Sequence, residues 1–211
     1  MIYKKIGNIY FTTSWDDGHP LDLRIAELLK KYTFTGTFFI APNNPEREVM
    51  KPTVISKLSY DRLFEIGGHT NTHVELSKVS PEVAIAEIRE GKRVLRRGLY
   101  RQTLDSFCYP KGRYNEDVKA MVKKCKFREA RTVDVLNNKL PKDNYAIKPT
   151  IHVHPSRKEY NGKNWLEVAK EVWKDPETEY FHLWGHSWEI EKYGLWDELE
   201  ELFKFIKSYE D

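Results

Sequence analysis

Strand-like and helix-like segments alternate along this 211-residue chain, and that alternation restricts the fold to the α/β class. The T-G-T-F-F-I run at 35–40, for example, has the pattern of a buried strand and follows a segment with apolar residues at helical spacing. A chain of this length that is 40% hydrophobic can bury one sizeable core, so we predict a single domain over residues 1–211. The predicted strands span 9–13, 35–40, 104–109, 127–132, 145–153 and 180–183, and the predicted helices span 20–32, 59–66, 81–98, 115–125, 165–173 and 195–209.

Chemically distinctive residues follow four of the predicted strands. They are the acidic pair at 16–17, the Y-P-K-G sequence at 109–112, the R-T-V-D sequence at 131–134, and His186. In parallel sheets and barrels the carboxyl ends of the strands share one rim, where active sites are built. We therefore predict that these four segments form one pocket.

The D-D-G sequence at 16–18 and the H-T-N-T-H sequence at 69–73 supply potential metal ligands. One carboxylate and two imidazoles hold a zinc-like ion with a position left open, and the second carboxylate is then free to act as a base. Each motif has a simpler interpretation, because D-D-G is common in turns and helix caps and paired histidines are common on surfaces. Both motifs in this order favour a metal-dependent hydrolase.

Composition excludes several other classes of protein. Thirty-five basic and 32 acidic side chains give a net charge of +3 without any lysine- or arginine-rich tract, so nucleic acid is not an expected partner. Two cysteines, Cys108 and Cys125, do not make a disulfide framework. The first residues lack the continuous apolar segment of a signal peptide, and no run is long enough to span a membrane. We therefore expect a cytoplasmic protein.

The sequence from Thr12 to about Trp188 resembles the polysaccharide deacetylases, the NodB homology domain of carbohydrate esterase family 4. The first motif of that family, similar to T-F-D-D-G, is here S-W-D-D-G at 14–18. Its second motif, two histidines separated by three residues, is H-T-N-T-H at 69–73, and a third motif centred on proline and glycine is F-C-Y-P-K-G at 107–112. The first two motifs together are specific, whereas the third gains weight from its order and spacing.

The resemblance implies an α/β fold that is a distorted, incomplete (β/α) barrel, commonly with seven strands. It implies that Asp17, His69 and His73 bind a divalent metal, with Asp16 as the catalytic base that takes a proton from the attacking water. Zn²⁺ is the expected metal, although Co²⁺, Ni²⁺ and Fe²⁺ also accept one carboxylate and two imidazoles.

Other catalytic roles follow from the same resemblance. The backbone N–H of Lys111 is expected to bind the oxyanion, and His186 to protonate the leaving amine. Asp134 is predicted to hydrogen-bond His186 and keep it charged. The third motif lacks the arginine that often orients the base in this family, so Arg131 is predicted to replace it; an ion pair between Arg131 and Asp134 is the alternative.

Substrate contacts are predicted near the ends of the same strands. Leu183 and Trp184 are expected to wall the acetyl methyl group, and Trp15, Trp184 and Trp188 are candidates for stacking on a sugar ring. The complete predicted substrate-binding set is Trp15, Tyr109, Pro110, Leu183 and Trp184.

Several other residues have a structural interpretation at this stage. Cys108 is predicted to be a small buried filler, since no basic partner is adjacent in sequence. His182 competes with His186 for the role of acid. Structural or peripheral positions are predicted for His19, His152 and His154.

The favoured function is hydrolysis of N-acetyl groups on an N-acetylated sugar or polysaccharide, with release of acetate. Hydrolysis of another C–N bond, in a cyclic amide or ureide, is an alternative on the same scaffold, and an inactive carbohydrate-binding homologue is another. The presence of both Asp16 and Asp17 favours deacetylation over these alternatives. The polar loops at 43–51 and 156–164 are predicted to set specificity.

Overall fold

The computed structural model describes residues 1–100 and 102–210 as strands and helices in alternation. The strands are β1 (Lys4–Ile6), β2 (Ile9–Asp16), β3 (Gly36–Ile40), β4 (Phe64–Gly68), β5 (Ser106–Cys108), β6 (Glu129–Arg131), β7 (Ile151–His152) and β8 (Tyr180–Gly185). The helices are α1 (Asp22–Tyr32), α2 (Pro52–Leu58), α3 (Pro81–Arg96), α4 (Glu116–Lys124), α5 (Trp165–Lys174), α6 (Ser187–Tyr193) and α7 (Trp196–Lys207).

Seven strands run parallel in the order β6-β5-β4-β3-β2-β8-β7, and β1 pairs antiparallel with β2. The parallel strands curl into a partial barrel and alternate with helices along the chain. This arrangement is an incomplete (β/α) barrel, so the predicted fold is confirmed, including its seven parallel strands.

Strand β2 lies at the centre of the sheet, between β3 and β8. Every residue from Phe11 to Asp16 is buried, as expected for a parallel strand that is covered on both faces. Asp17 follows directly at the carboxyl end of β2. Strands β4, β6 and β8 end on the same rim, at Gly68, Arg131 and Gly185.

Strand β4 replaces the helix that the sequence predicted at 59–66. The helix lies earlier, as α2, and Phe64–Gly68 pairs in parallel with β3. The side chain of Gln102 extends the pairing, since it accepts from the N–H of Ile66 at 3.1 Å and donates to the carbonyl of Phe64 at 2.7 Å. At Gly67, a Cβ would lie 2.4 Å from the ring of Phe39. Long-range pairing and close packing therefore override the local helical pattern.

Other differences from the sequence prediction are smaller. The strand predicted at 145–153 shortens to Ile151–His152, and Pro149 contributes to this because it has no N–H to donate to a ladder. Strand β1 and helix α6 were not predicted. The helices predicted to begin near 20, 81, 115, 165 and 195 all form. No helix within 1–100 or 102–210 has the length and hydropathy required to span a bilayer.

Candidate active site

Three potential metal ligands converge beyond the carboxyl ends of β2 and β4. Asp17 and His73 both lie in tight turns, with φ values of 77° and 62°. The Nε2 atoms of His69 and His73 lie 3.8 and 3.5 Å from Oδ1 of Asp17. The structure thus brings together the three ligands that the resemblance implied, and their donor atoms all lie within 4.8 Å of one another.

Hydrogen bonds orient both imidazole rings. The carbonyl oxygen of Cys108 can only accept, so His69 carries a proton on Nδ1, 2.8 Å away, and its Nε2 faces Asp17. Nδ1 of His73 lies 3.2 Å from a carboxylate oxygen of Glu46, which likewise leaves Nε2 directed at Asp17. Burial, together with the charge of His73, lowers the pKa of His69 to about 4, so its Nε2 offers a lone pair at neutral pH.

One oxygen of Asp17 is the third donor of this set. Oδ1 of Asp17 is buried and has no hydrogen-bond partner within the described part of the chain. An unpaired buried carboxylate oxygen is costly unless a cation compensates it. Because two imidazole nitrogens face the same oxygen, the donor set fits a divalent ion that accepts nitrogen and oxygen ligands, such as zinc.

Helix α3 supports the loop between the two histidines. Oε2 of Glu87 accepts the N–H groups of Asn71 and Thr72 at 3.1 and 2.9 Å. Gly91 packs so closely that a Cβ there would lie 2.3 Å from the carbonyl oxygen of Thr70. Neither Glu87 nor Gly91 could be recognised in the sequence, since both contacts depend on how α3 docks.

Asp16 and Arg131 form a buried ion pair beside the metal ligands. Nη2 of Arg131 donates to both carboxylate oxygens of Asp16, and its Nη1 donates to the carbonyl of Thr132 at 2.8 Å. Burial opposes the charge of Asp16, but Arg131 and the nearby histidines outweigh it and hold the pKa of this carboxyl well below its usual range. The predicted contact between Arg131 and Asp16 is therefore present, whereas the alternative pairing of Arg131 with Asp134 is not.

Cys108 contacts the same ion pair. Its Sγ lies 3.5 Å from Oδ2 of Asp16 and 3.0 Å from Nη2 of Arg131. Burial raises the pKa of the Cys108 thiol, so it stays protonated. A neutral thiol fills this buried space, in keeping with its predicted role as a small filler.

The structure corrects the predicted partner of His186. Asp134 is exposed and pairs with Lys148 at 3.4 Å, whereas Nδ1 of His186 lies 2.6 Å from Oε2 of Glu189. Burial disfavours the imidazolium, but the hydrogen bond and charge of Glu189, with smaller contributions from the aspartates of the site, raise the pKa of His186 to about 9. His186 is therefore cationic at neutral pH.

The unpredicted helix α6 connects three parts of the site. Trp188 donates its indole N–H to Oδ2 of Asp17 at 2.9 Å, and Ser187 donates to the buried Asp22 of α1 at 2.6 Å. Glu189, on the same helix, reaches His186. The sequence does contain one signal for this helix, because Gly194 adopts the left-handed conformation at its C-cap.

The other predicted site residues divide into those that line the cleft and those that do not. Lys111, in a left-handed turn with φ of 56°, and Trp184 line it. Four members of the predicted substrate-binding set are buried and outside the lining: Trp15, Tyr109, Pro110 and Leu183. The side chains of Trp15, Tyr109 and Leu183 pack in the hydrophobic core, and the hydroxyl of Tyr109 donates to the carbonyl of Tyr145 at 2.9 Å.

Histidines outside the ligand set have distinct surroundings. His182 is fully buried and bonded to Ser14 and Tyr180 at 2.8 Å each, so it does not reach the cleft. His152, predicted to be structural or peripheral, stacks on Trp184 with ring centroids 3.9 Å apart and lies beside His186. His19 and His154 bond to local backbone groups.

The three potential metal ligands lie in a cleft of about 250 Å³. Arg47 of the predicted specificity loop lies over the Trp188 ring at 4.0 Å, and Lys111 pairs with Glu46 at 3.2 Å across the rim. The lining consists of Asp16, Asp17, Glu46, Arg47, His69, His73, Lys111, Val133, Arg157, Trp184, His186 and Trp188.

Comparison with known families gives one match. A sequence model of the family described as polysaccharide deacetylase matches residues 5–130. A comparison with curated proteins gave no match.

Solved structures with similar folds include deacetylases and a pseudoenzyme. A Streptococcus pyogenes deacetylase, PplD, in complex with acetate aligns with a TM-score of 0.51 and 22% identity over 57% of this chain and 54% of that one. A family 4 acetyl xylan esterase from Clostridium thermocellum in complex with a cobalt ion has a TM-score of 0.64 and 16% identity, over 94% and 83% of the two chains. A family 4 pseudoenzyme from Bacillus anthracis has a TM-score of 0.65 and 14% identity, over 99% and 64%. The chain spans about half the length of the streptococcal protein, and at these identities the likeness is one of fold.

Proposed function

Because this chain belongs to the polysaccharide deacetylase family, we propose that it is a metal-dependent hydrolase that removes N-acetyl groups from an N-acetylated carbohydrate. One observation carries the proposal: two oriented imidazoles face an unpaired oxygen of Asp17, beside the carboxylate of Asp16. The cleft that holds them also contains a cationic His186. A base, an acid and a set of metal ligands therefore share one small cleft.

Asp17, His69 and His73 would hold the metal, and zinc suits this donor set, as do cobalt, nickel and iron. When bound, a divalent ion supplies Lewis acidity toward the amide carbonyl and makes the attacking water more acidic. The remaining work belongs to side chains and backbone groups of this chain.

Asp16 acts as the base in this proposal. Its carboxylate is ionised at neutral pH, and Arg131 fixes its orientation by donating to both oxygens. Asp16 accepts a proton from the water as the water oxygen bonds to the acetyl carbon. The same ion pair makes Asp16 a weak base, because Arg131 stabilises its ionised carboxylate.

His186 acts as the acid that completes the reaction. The C–N bond breaks, the amine nitrogen takes a proton from Nε2 of His186, and the products are acetate and a free amino sugar. The backbone N–H of Lys111, in its left-handed turn at the cleft, is proposed as the donor to the oxyanion.

Acetate release from N-acetylglucosamine oligomers tests the proposal. Metal-stripped protein is expected to be inactive, and activity should return when zinc or cobalt is restored. Asp16→Asn should bind metal stoichiometrically without turnover, whereas Asp17→Asn should lose both metal and turnover. Wild-type protein that binds metal but releases no acetate from any N-acetylated sugar would contradict the proposal and favour another amide substrate or a binding role.

A further inference from the structure

We propose that Glu189 is the residue that positions and charges His186, and that His152 holds Glu189 in place for this task. The inference deepens the mechanism and rests on the proposed function, because it assigns His186 the role of leaving-group acid. Glu189 of helix α6 takes the role that the sequence suggested for Asp134, in the segment after β6.

The carboxylate of Glu189 lies between two imidazole rings. Its Oε2 is 2.6 Å from Nδ1 of His186 and 3.2 Å from Nε2 of His152. A carboxylate accepts from Nδ1–H of His186, which leaves Nε2 of His186 for the substrate amine. The side chain of Glu189 is 14% exposed, so solvent screens these contacts only weakly.

Arg157 determines the tautomer of His152. Nη1 of Arg157 lies 3.1 Å from Nδ1 of His152, and a guanidinium can only donate, so Nδ1 of His152 carries no proton. The proton of a neutral His152 is therefore on Nε2, where it points at Glu189. Burial lowers the pKa of His152 to about 3, which keeps the ring neutral. A neutral donor orients Glu189 without placing a second positive charge beside His186.

Stacking holds the His152 ring in this position. Its plane lies 11° from that of Trp184 with centroids 3.9 Å apart, and Trp184 itself lines the cleft. The chain of contacts thus runs from Arg157 at the rim through His152 and Glu189 to His186.

Several charged and titratable groups face His186 from the elements packed around it. Glu189 is the only one of them bonded to His186 in residues 1–100 and 102–210, and it contributes most to the high pKa of His186 after the opposing effect of burial. Asp134 is not among them, because its exposed carboxylate pairs with Lys148. The facing groups are Asp16 at the end of β2, Asp17 directly after it, Asp22 of α1, His152 of β7 and Glu189 of α6.

The test compares Glu189→Gln with Asp134→Asn in zinc-loaded protein. Each change removes one negative charge at nearly constant size, so the two variants are matched. In Glu189→Gln the pKa of His186, followed by NMR titration of its ring protons, should fall by about 1–2 units. The alkaline limb of the pH profile of kcat/KM should move to lower pH by the same amount. At pH values above this limb, kcat should fall about tenfold for each unit by which the pKa of His186 falls, with little change in KM. Asp134→Asn should match the wild type in both measurements.

Two further variants separate positioning from folding. Glu189→Asp keeps the negative charge, so the pKa of His186 and kcat should both lie between those of Glu189→Gln and the wild type. His152→Phe preserves a ring against Trp184 but removes the N–H donor to Glu189. It should lower the pKa of His186 by a smaller amount than Glu189→Gln does.

An unchanged His186 titration in Glu189→Gln, or a shift in Asp134→Asn instead, would overturn the inference. The NMR titration needs no turnover, so it separates this inference from the proposed function. If the pKa of His186 shifts in Glu189→Gln but the protein releases no acetate, the result would contradict the proposed deacetylase function and still support the pairing of Glu189 with His186.

Discussion

Trp188 donates its indole N–H to Oδ2 of Asp17 at 2.9 Å, and this leaves the other oxygen of Asp17 facing the two histidines. One oxygen is thus engaged by α6 and the other is directed at the proposed metal position. Arg47 covers the indole ring at 4.0 Å. The orientation of Asp17 therefore depends on a helix that lies far from it in sequence.

Replacing Trp188 by phenylalanine should weaken metal binding. The ring volume is largely kept, but Asp17 loses the donor that fixes its carboxylate, and loss of such an outer contact typically costs 10–100-fold in metal affinity. Zinc affinity measured by competition with a chromophoric chelator checks this. Trp196→Phe is the matched control, since Trp196 also donates its indole N–H to a carboxylate, that of Glu191 at 2.6 Å, away from the ligands. Equal zinc affinities for the two variants would contradict the prediction.

Helix α3 supports the loop between His69 and His73 through close packing at Gly91. Gly91→Ala should be destabilising by about 1–3 kcal/mol, although alanine usually favours a helix, because the new Cβ would lie 2.3 Å from the carbonyl oxygen of Thr70. The displaced loop carries both imidazole ligands, so zinc affinity should fall as well. Gly98→Ala is the control, since a Cβ there would lie 3.7 Å from the carbonyl oxygen of Leu95, which is an ordinary van der Waals contact. Urea denaturation and zinc titration of both variants provide the test, and a Gly91→Ala protein as stable as the wild type would refute it.

Local patterns were sufficient to predict most of the fold and the set of candidate ligands. The alternation of elements predicted the α/β class, and the resemblance to a known family implied the incomplete barrel. Asp17, His69 and His73 lie in the two short motifs that carry this resemblance. Strand-end position alone was less reliable for side-chain direction. Trp15 and Leu183 are in β2 and β8 close to the rim, but their side chains are fully buried in the core.

The partners of the predicted residues depended on long-range packing. Asp134 comes after β6, as predicted, but it pairs with Lys148 at the surface. Glu189 lies only three residues beyond His186, and yet their contact requires α6 to form. That helix has no side-chain cap at its start and was therefore hard to recognise in the sequence. Arg131 was predicted from the absence of an arginine in the third motif, and its contact with Asp16 spans 115 positions.

The buried ion pair predicts a large cost for removing one partner. Arg131→Met should destabilise the protein by about 3–5 kcal/mol, because it leaves the buried carboxylate of Asp16 without its compensating charge. The double variant Arg131→Met with Asp16→Asn should recover a substantial part of that loss, since no buried charge is left unpaired. Urea denaturation of the wild type, both single variants and the double variant measures the coupling. Additive losses in the double variant would show that the two side chains act independently.

The last prediction concerns how the stability of the metal-free protein depends on pH. The folded-state pKa of His186 is raised to about 9, whereas an unfolded histidine titrates near 6.5. The folded state therefore binds the proton more tightly, and His186 contributes its full stabilisation, about 3 kcal/mol, below about pH 6.5. That contribution should decline as the pH rises toward about 9 and be absent above it. His186→Gln lacks this titration, so the difference in unfolding free energy between the wild type and the variant should shrink from about pH 6 to about pH 10. Urea denaturation of both proteins in chelator-treated buffer across that range gives the difference directly. Parallel stability profiles would mean that His186 is not held as a cation in the folded protein, and that Glu189 does not charge it.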